Sequence, residues 1–233
     1  RTQSEPAQLQ ALEDQRCIFF PLFMTGYVIA DLLLDNDWFG VQQVVIGSAS
    51  SKTGFSTAAF IRAAGFEGAI VGLTSDQNVA FSEALGCYDR VVPYSEVEGI
   101  ANEPSAYVDI AGDVSIRSRL HHSLQNNAAL TLLVGATHWD QFGQSVGGEP
   151  LPGSEPHVFF APAQIEKRDG EWGRGVMMGK AYAASIELVT QLAPTLLMES
   201  HKGAEACDAI WQSLLRNQIS GQRGVMVSLE GEA

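Results

Sequence analysis

The sequence predicts an α/β protein in which a parallel sheet is covered by helices on both faces. Between residues 43 and 135, short apolar segments alternate with amphipathic segments of helical period. The apolar segments are nearly continuous in Val, Ile, Leu and Ala, as expected of strands that are buried on both faces. Repeated right-handed connections between parallel strands then give a doubly wound sheet.

The individual elements follow from these patterns. The predicted strands are residues 43–47, 68–73, 90–93, 106–111 and 130–135, and the predicted helices between them are 54–64, 77–85 and 114–125. A helix over 26–38 precedes the first strand. After a connector rich in Gly and Pro at 140–156, the segment HVFFAPAQI is expected to be a sixth, edge strand. Helices over 176–192 and 204–216 and a final strand, RGVMVSL, complete the chain.

Composition narrows the class of partner. The 233 residues include 14 Lys and Arg against 27 Asp and Glu, a formal net charge of −13. Such a surface repels phosphate backbones and anionic lipids, so neither nucleic acid nor a membrane is an expected partner. The cysteines Cys17, Cys87 and Cys207 have no disulfide or metal-ligand spacing, so no metal is expected and a cytoplasmic location is predicted. No apolar run is as long as a spanning helix requires, and no secretory signal is evident.

A loop of small polar residues, GSASSKTG at 47–54, follows the first strand and opens the next helix. The N–H groups at a helix start, together with the helix dipole, favour an anion. Counted back from Gly54, the dinucleotide pattern G-x-G-x-x-G has Ala49 and Ser51 at its first two glycine positions. Lys52 and Thr53 imitate the end of the nucleoside triphosphatase loop G-x-x-x-x-G-K-[ST], whose second glycine is missing. A plain turn capped by serines is the third alternative.

The end of the second predicted strand favours NADP(H) over NAD(H). Dinucleotide folds that choose NAD place Asp or Glu there to bind the ribose hydroxyls, whereas this sequence has Leu73, Thr74 and Ser75. Without a carboxylate a 2′-phosphate is not repelled, and Thr74, Ser75 and Lys52 are candidate donors to it. A solvated loop lysine is the alternative for Lys52, and Asp76 is expected to cap the next helix.

Four segments in order carry a resemblance to a known family: VVIGSASSKTGFSTAAFIRAAGFEGAIVGLTS, ALGCYDRVVPY, YVDIAGDVSIRSRL and LLVGATHW. This series resembles the cofactor domain of zinc-independent medium-chain dehydrogenases/reductases of the quinone oxidoreductase type. Within it, SASSKTG, PLFMTGYVIADLL and FFAPAQI look like an uncharacterised bacterial and fungal branch. The resemblance covers residues 18–230.

The resemblance implies a domain plan. Residues 1–38 would be a lead-in and connecting helix, 39–170 a Rossmann-type dinucleotide-binding domain, and 171–233 C-terminal helices and a strand that return to a second, largely absent domain. Full-length members carry an N-terminal GroES-like catalytic domain, and the resemblance implies that this chain lacks it. In the family the HVFFAPAQI edge strand often pairs across a twofold axis, so the resemblance also implies a homodimer.

The implied function is the NADP(H)-binding domain of an NADPH-dependent oxidoreductase of the quinone oxidoreductase or enoyl reductase type. Hydride would pass to a small-molecule substrate at a carbonyl or conjugated alkene. The alternative is a non-catalytic Rossmann module that binds a nucleotide weakly or acts as a partner surface.

The resemblance and the loop together give the candidate residues. Tyr27 and His138 are candidate catalytic groups, with core packing and a structural loop histidine as their alternatives. Asp109 is either structural or functional, and His121 and His122 are expected to be solvated. Candidate cofactor contacts lie on the lead-in helix, in the loop and at the strand ends: Thr25, Ser48, Ser50, Ser51, Lys52, Thr53, Gly54, Thr74, Ser75, Tyr94 (or surface packing), Ala111, Gly112, Gly135, Ala136 and Thr137.

Overall fold

The computed structural model describes residues 10, 12–135, 150–216 and 218–229. Its helices are α1 (Glu13–Asp35), α2 (Lys52–Ala63), α3 (Val79–Ala84), α4 (Val114–Leu124), α5 (Ala161–Trp172), α6 (Val176–Leu192) and α7 (Ala204–Leu215). Its strands are β1 (Gln43–Gly47), β2 (Ala69–Thr74), β3 (Arg90–Pro93), β4 (Ser105–Asp109), β5 (Ala128–Leu133), β6 (His157–Val158), β7 (Leu197–Lys202) and β8 (Arg223–Ser228).

A six-stranded parallel sheet has the strand order β3-β2-β1-β4-β5-β6. The chain runs outward from β1 to β3, returns across the sheet to β4, and then runs outward in the other direction. Val45 of the central strand is in register with Val71 of β2 and with Tyr107 of β4. The predicted doubly wound parallel sheet is therefore confirmed, and it has the Rossmann-type arrangement with its switch point between β1 and β4.

The sheet is buried on both faces, as the apolar strands predict. Every residue of β1 is buried. Val44 and Ile46 pack on one face with Phe55 of α2, whereas Val45 packs on the opposite face with Leu120 of α4. This division follows from the two-residue period of a strand, and it holds the carboxyl end of β1 between two helical layers.

Helix α1 differs from its prediction in where it begins and how apolar it is. It begins at Glu13, far ahead of the predicted residue 26, and contains Pro21. Within the described residues, α1 is the one helix that is long and apolar enough to cross a membrane, judged by length and composition. Its most apolar stretch of 18 residues has a mean hydropathy of 2.0. The expectation that no such run exists was therefore wrong. Half of the stretch is buried within the structure, as in a helix that packs in a core.

Close packing of α1 on α2 depends on Gly26. A methyl group at Gly26 would lie 2.5 Å from the Ser56 hydroxyl oxygen and 2.8 Å from the Thr57 main-chain nitrogen. Beside this contact the Phe23 ring meets the Phe55 ring edge-on, with centroids 5.9 Å apart. The small residue lets two helices approach at the point where α2 leaves the loop.

We therefore expect Gly26→Ala to lower the free energy of unfolding by about 1–3 kcal/mol through overpacking, although Ala favours a helix over Gly. Chemical denaturation monitored by circular dichroism measures this. Gly170→Ala in α5 is the control, because nothing lies within 4 Å of the methyl group it adds. Equal stability of the two variants would contradict the close-packing role of Gly26.

The segment HVFFAPAQI is only partly a strand. His157 and Val158 pair with β5, and α5 begins at Ala161 with a proline in its first turn. The prediction of a strand across the whole segment was wrong, because Pro162 has no N–H to give to a sheet and its fixed φ suits the start of a helix.

A second, two-stranded parallel sheet is formed by β7 and β8. The predicted final strand is confirmed as β8, whereas β7 was not predicted. No residue of α7 is buried, and its large apolar side chains Trp211, Leu214 and Leu215 are exposed, as is Val227 of β8.

Candidate functional site

The loop between β1 and α2 lies at the switch point of the sheet. The Ser51 hydroxyl accepts a hydrogen bond of 3.0 Å from the Gly54 N–H and caps α2. Ser48 has a φ of +56°, in the left-handed region. A methyl group at Gly54 would lie 2.5 Å from the Ser48 carbonyl oxygen, so the helix can approach the loop this closely only with glycine there. Gly54 therefore allows the close contact between α2 and the loop.

Three tyrosines, Tyr88, Tyr94 and Tyr107, contact the loop through their hydroxyl groups. The Tyr88 hydroxyl donates to the Ala49 carbonyl at 2.9 Å, and the Tyr94 hydroxyl accepts from the Ser48 N–H at 3.0 Å. The Tyr107 hydroxyl lies against Gly47, where an added methyl group would be 2.8 Å away. Burial raises the pKa of each of these hydroxyls, so all three stay neutral at physiological pH.

Tyr88 and Tyr107 were not predicted as part of the site. Tyr94 was expected either to contact the cofactor or to pack at the surface, and its hydroxyl accepts a hydrogen bond from the loop. Thr74 joins them from the end of β2, since its hydroxyl donates to the Ser50 hydroxyl at 3.2 Å. The loop is held in shape by its neighbours in space rather than by the glycines of the usual pattern.

Several N–H groups of the loop are left for a ligand. Those of Ala49 and Ser51 bond to main-chain carbonyls, and Tyr94 accepts the one from Ser48. The N–H groups of Ser50, Lys52 and Thr53 have no acceptor in the part of the chain that the structure describes. These groups lie at the positive end of the α2 dipole, so together they can bind an anion.

Lys52 has partners that the sequence did not predict. Its ammonium donates to the carbonyl oxygens of Gly221 and Arg223 at 2.9 and 2.8 Å. Within the described residues no carboxylate forms an ion pair with it, and burial lowers its pKa to about 8. Lys52 is therefore not the solvated lysine of the alternative interpretation, and any phosphate contact shares the ammonium with two carbonyls.

The end of β2 carries hydroxyl groups where NAD-binding folds carry a carboxylate. Thr74 is buried, and the Ser75 hydroxyl accepts from the Asn78 amide at 2.9 Å. Asp76 does not cap a helix as expected, since it begins a short 3₁₀ turn and its carboxylate accepts from the Ser95 hydroxyl at 3.0 Å. The contacts of Thr74 and Ser75 with a cofactor stay predictions.

A buried ion pair fixes the turn at the end of β4. Asp109 and Arg117 are 2.7 Å apart, and both side chains are at most 3% exposed. The other Asp109 oxygen accepts from the Gly112 N–H at 2.8 Å, where Gly112 has a φ of +72°. Desolvation by burial raises the pKa of Asp109, and the bond from Arg117 opposes that shift. Of the two alternatives for Asp109, these contacts support the structural one.

The turn after β5 packs directly on the turn after β4. A methyl group at Gly135 would overlap the Ile110 carbonyl oxygen, so glycine permits the contact. Ile110, directly before Ala111 and Gly112 in sequence, therefore lies next to Gly135, and the cofactor contacts of Ala111, Gly112 and Gly135 stay predictions. Ala136, Thr137 and His138 lie outside the described residues.

The candidate residues of α1, Thr25 and Tyr27, have partners within the fold. Thr25 donates back along its own helix to the Pro21 carbonyl at 3.1 Å. The Tyr27 ring packs edge-on against Phe60 with centroids 5.5 Å apart, and burial, with Asp31 nearby, raises its pKa. This is the core-packing arrangement that was the alternative to catalysis.

One histidine prediction was wrong. His121 is fully buried, with its ring nitrogens 2.8 Å from the Pro152 carbonyl and 2.8 Å from the Thr131 hydroxyl. Burial lowers its pKa, which favours the neutral ring. His122 is exposed as expected.

A cavity of about 290 Å³ lies between α2, the segment 85–89 that precedes β3, and α6, and none of the predicted site residues lines it. Within the described residues, no group of three or more His, Cys, Asp or Glu side chains is placed to hold a metal ion.

Solved structures with this fold include several oxidoreductases. The yhdH oxidoreductase from Salmonella enterica in complex with NADP aligns with a TM-score of 0.53 at 13% identity, covering 88% of this chain and 61% of that chain. CurA from Vibrio vulnificus in complex with NADPH aligns at 0.53 and 12% identity, covering 90% and 62%. The quinone oxidoreductase from Coxiella burnetii aligns at 0.54 and 14% identity, covering 88% and 58%.

These alignments show a shared fold, and the chain spans about three fifths of the length of each of these structures. No curated protein matches the chain. A family model described as "Protein of unknown function (DUF2855)" matches residues 1–220. Because that match covers nearly the whole sequence, the chain belongs to the DUF2855 family.

Proposed function

We propose that this chain is the NADP(H)-binding domain of a zinc-independent oxidoreductase of the quinone oxidoreductase or enoyl reductase type, whose substrate is a carbonyl or conjugated alkene. The observation that carries the proposal is the loop at the switch point. Within the described residues, the N–H groups of Ser50, Lys52 and Thr53 have no acceptor, and the Lys52 ammonium is bonded to two carbonyls but to no carboxylate, so both features favour phosphate there. The fold shared with structures solved with NADP and NADPH supports the same cofactor.

Each part of the site would serve a different part of the dinucleotide. The loop would hold the pyrophosphate, while the Thr74 and Ser75 hydroxyls would bind the adenosine ribose and donate to its 2′-phosphate. The turns at Gly112 and Gly135 would leave room for the nicotinamide beside the backbone. When bound, the cofactor supplies the hydride, and the residues of this chain orient it and shield it from water.

A substrate-side domain would complete the enzyme. Parallel sheets are almost always covered on both faces, whereas β7 and β8 form an isolated pair beside the exposed helix α7. We propose that this pair joins a GroES-like domain, as in the family that the sequence resembles, and that the chain belongs to an uncharacterised branch of that family. A homodimer formed through the β6 edge and a cytoplasmic location belong to the same proposal.

A non-catalytic module is the second candidate, favoured by the loop sequence, in which Ala49 and Ser51 replace the first two glycines of the dinucleotide pattern. Titration of the chain with NADPH, NADH and ATP with Mg²⁺, followed by calorimetry, separates the candidates. We expect micromolar binding of NADPH and weaker binding of NADH. Mg²⁺-dependent binding of ATP would favour a nucleoside triphosphatase loop, and no binding at all would leave the module that acts as a partner surface.

Ser75→Glu tests the cofactor choice. A carboxylate at the end of β2 would repel the 2′-phosphate but accept ribose hydroxyls, so we expect NADPH to bind about tenfold more weakly or worse, a loss of about 1.4 kcal/mol. NADH affinity should stay the same or rise. Ser213→Glu adds the same charge on α7, a helix with no buried residue and outside the loop, and should change neither affinity. Equal losses for both cofactors would contradict the assignment of Ser75 to the 2′-phosphate.

A further inference from the structure

The C-terminal segment at residues 221–223 touches the phosphate loop directly. Its carbonyl oxygens at Gly221 and Arg223 accept hydrogen bonds from the Lys52 ammonium, 169 and 171 residues away in sequence. Gly221 also lies against the Ser50 carbonyl, which an added methyl group would overlap. The contact therefore joins β8, at the end of the chain, to the first turn of α2.

These carbonyls orient the ammonium without neutralising it. A lysine ammonium has three N–H donors, and the two carbonyls take two of them. Within the described residues the charge has no carboxylate partner, and the pKa of about 8 reflects its desolvation. Lys52 thus carries this charge in the same loop whose N–H groups at Ser50 and Thr53 have no acceptor among the described residues.

We propose that residues 221–223 position Lys52 for phosphate, so that docking of the C-terminal segment and binding of the dinucleotide strengthen each other. The proposal rests on the proposed function, because it concerns the phosphate site of that function. Because the attraction between an ammonium and a phosphate falls as their separation grows, it depends on where the ammonium is held.

Coupling between the two events must be reciprocal. If the docked segment raises the affinity for the dinucleotide, the dinucleotide raises the stability of docking by the same factor. Binding of the cofactor would therefore be transmitted to β7 and β8, which we propose to join the substrate-side domain. In this way, binding of the dinucleotide at the loop would stabilise the position of the strands that join the substrate-side domain.

The test compares NADPH affinity in variants of the full chain by calorimetry. Gly221→Ala should push the segment off the loop, and Lys52→Met should remove the donors but keep an aliphatic chain. We expect each to weaken NADPH by about tenfold, and the double variant to bind no more weakly than Lys52→Met, since both act through one contact. Lys52→Arg should retain most of the affinity. Gly99→Ala is the control, because its methyl group would meet only the Arg90 guanidinium, at 3.9 Å.

Hydrogen exchange provides a second measurement, because a purely structural role of Lys52 would not make the exchange rates depend on NADPH. NADPH should slow exchange of the main-chain amides at residues 220–228 in the unchanged chain and not in Lys52→Met. Faster exchange on binding would overturn the proposal in favour of competition for the ammonium. If NADPH binds the unchanged chain and the Gly221→Ala and Lys52→Met variants equally well, the positioning role alone is lost. If NADPH does not bind the unchanged chain, the proposed function fails as well.

Discussion

Arg117→Leu is expected to lower the free energy of unfolding by about 3–5 kcal/mol, because it leaves the carboxylate of Asp109 buried without its partner. The pair lies in the interior at the end of β4, with both side chains almost fully buried. In the part of the chain that the structure describes, the Arg117 Nε has no acceptor, so the bond to Asp109 is the main compensation for burying the guanidinium. Urea denaturation of the variant measures the loss.

Arg119→Leu is the matched control on the same helix. Arg119 pairs with Glu98 at the surface, where the two side chains are 36% and 54% exposed. Exposed pairs contribute about 0–1 kcal/mol, so this variant should stay close to the original stability. A similar loss in both variants would mean that α4 needs the arginines for a reason other than the buried charge.

The pH dependence identifies the buried charge as the cause. Without Arg117, which opposes the rise, the pKa of Asp109 should climb further above its unfolded value. A raised carboxyl pKa means that the folded state binds the proton more tightly, so stability is kept at low pH and lost as pH rises through that pKa. The deficit of Arg117→Leu should thus be smaller at about pH 5 than at about pH 8. Asp109→Asn combined with Arg117→Leu should remove this pH dependence.

The central sheet could be predicted because its signal is local. The strands β1 and β3 have the predicted bounds, and α6 does as well. A buried strand must be apolar along its whole length, and a helix that packs by one face repeats apolar residues, so both patterns are visible in a short window of sequence.

The missed elements lack that local signal. The buried residues of α5 are Gln164 and Arg168, held by the carboxylate of Asp31, so its inner face shows no apolar period. No position of the strand β7 is buried, and within the described residues it pairs with β8 alone. Both elements depend on partners that are distant in sequence.

The candidate site likewise contains residues that could be predicted from the sequence and residues that could not. Gly54 could be predicted from the order of strand, loop and helix, since only glycine allows the close approach. The partners of Lys52 and the hydroxyls of Tyr88 and Tyr107 come from other parts of the chain, and nothing near the loop in sequence indicates them. A serine-rich loop can therefore keep its shape without the usual glycines, because side chains from other strands hold it.

Gly54→Ala is expected to abolish most dinucleotide binding while leaving the protein folded. The added methyl group would lie 2.5 Å from the Ser48 carbonyl oxygen and 3.1 Å from the Ser51 hydroxyl oxygen, so the loop backbone must move. A displacement of about 1 Å in a positioned site can cost on the order of a hundredfold, and we expect a loss of NADPH affinity of that size. Calorimetry measures the affinity, and circular dichroism verifies the fold.

Stability and binding should separate in this variant. Ala favours a helix by about 1 kcal/mol over Gly, which offsets part of the strain at Gly54, whereas nothing offsets the displaced N–H groups of Ser50 and Thr53. Gly179→Ala in the first turns of α6, where nothing lies within 4 Å of the new methyl group, should bind NADPH normally. If Gly54→Ala bound NADPH as tightly as Gly179→Ala, the phosphates could not lie on this loop, since its N–H groups cannot move and still meet the same oxygens.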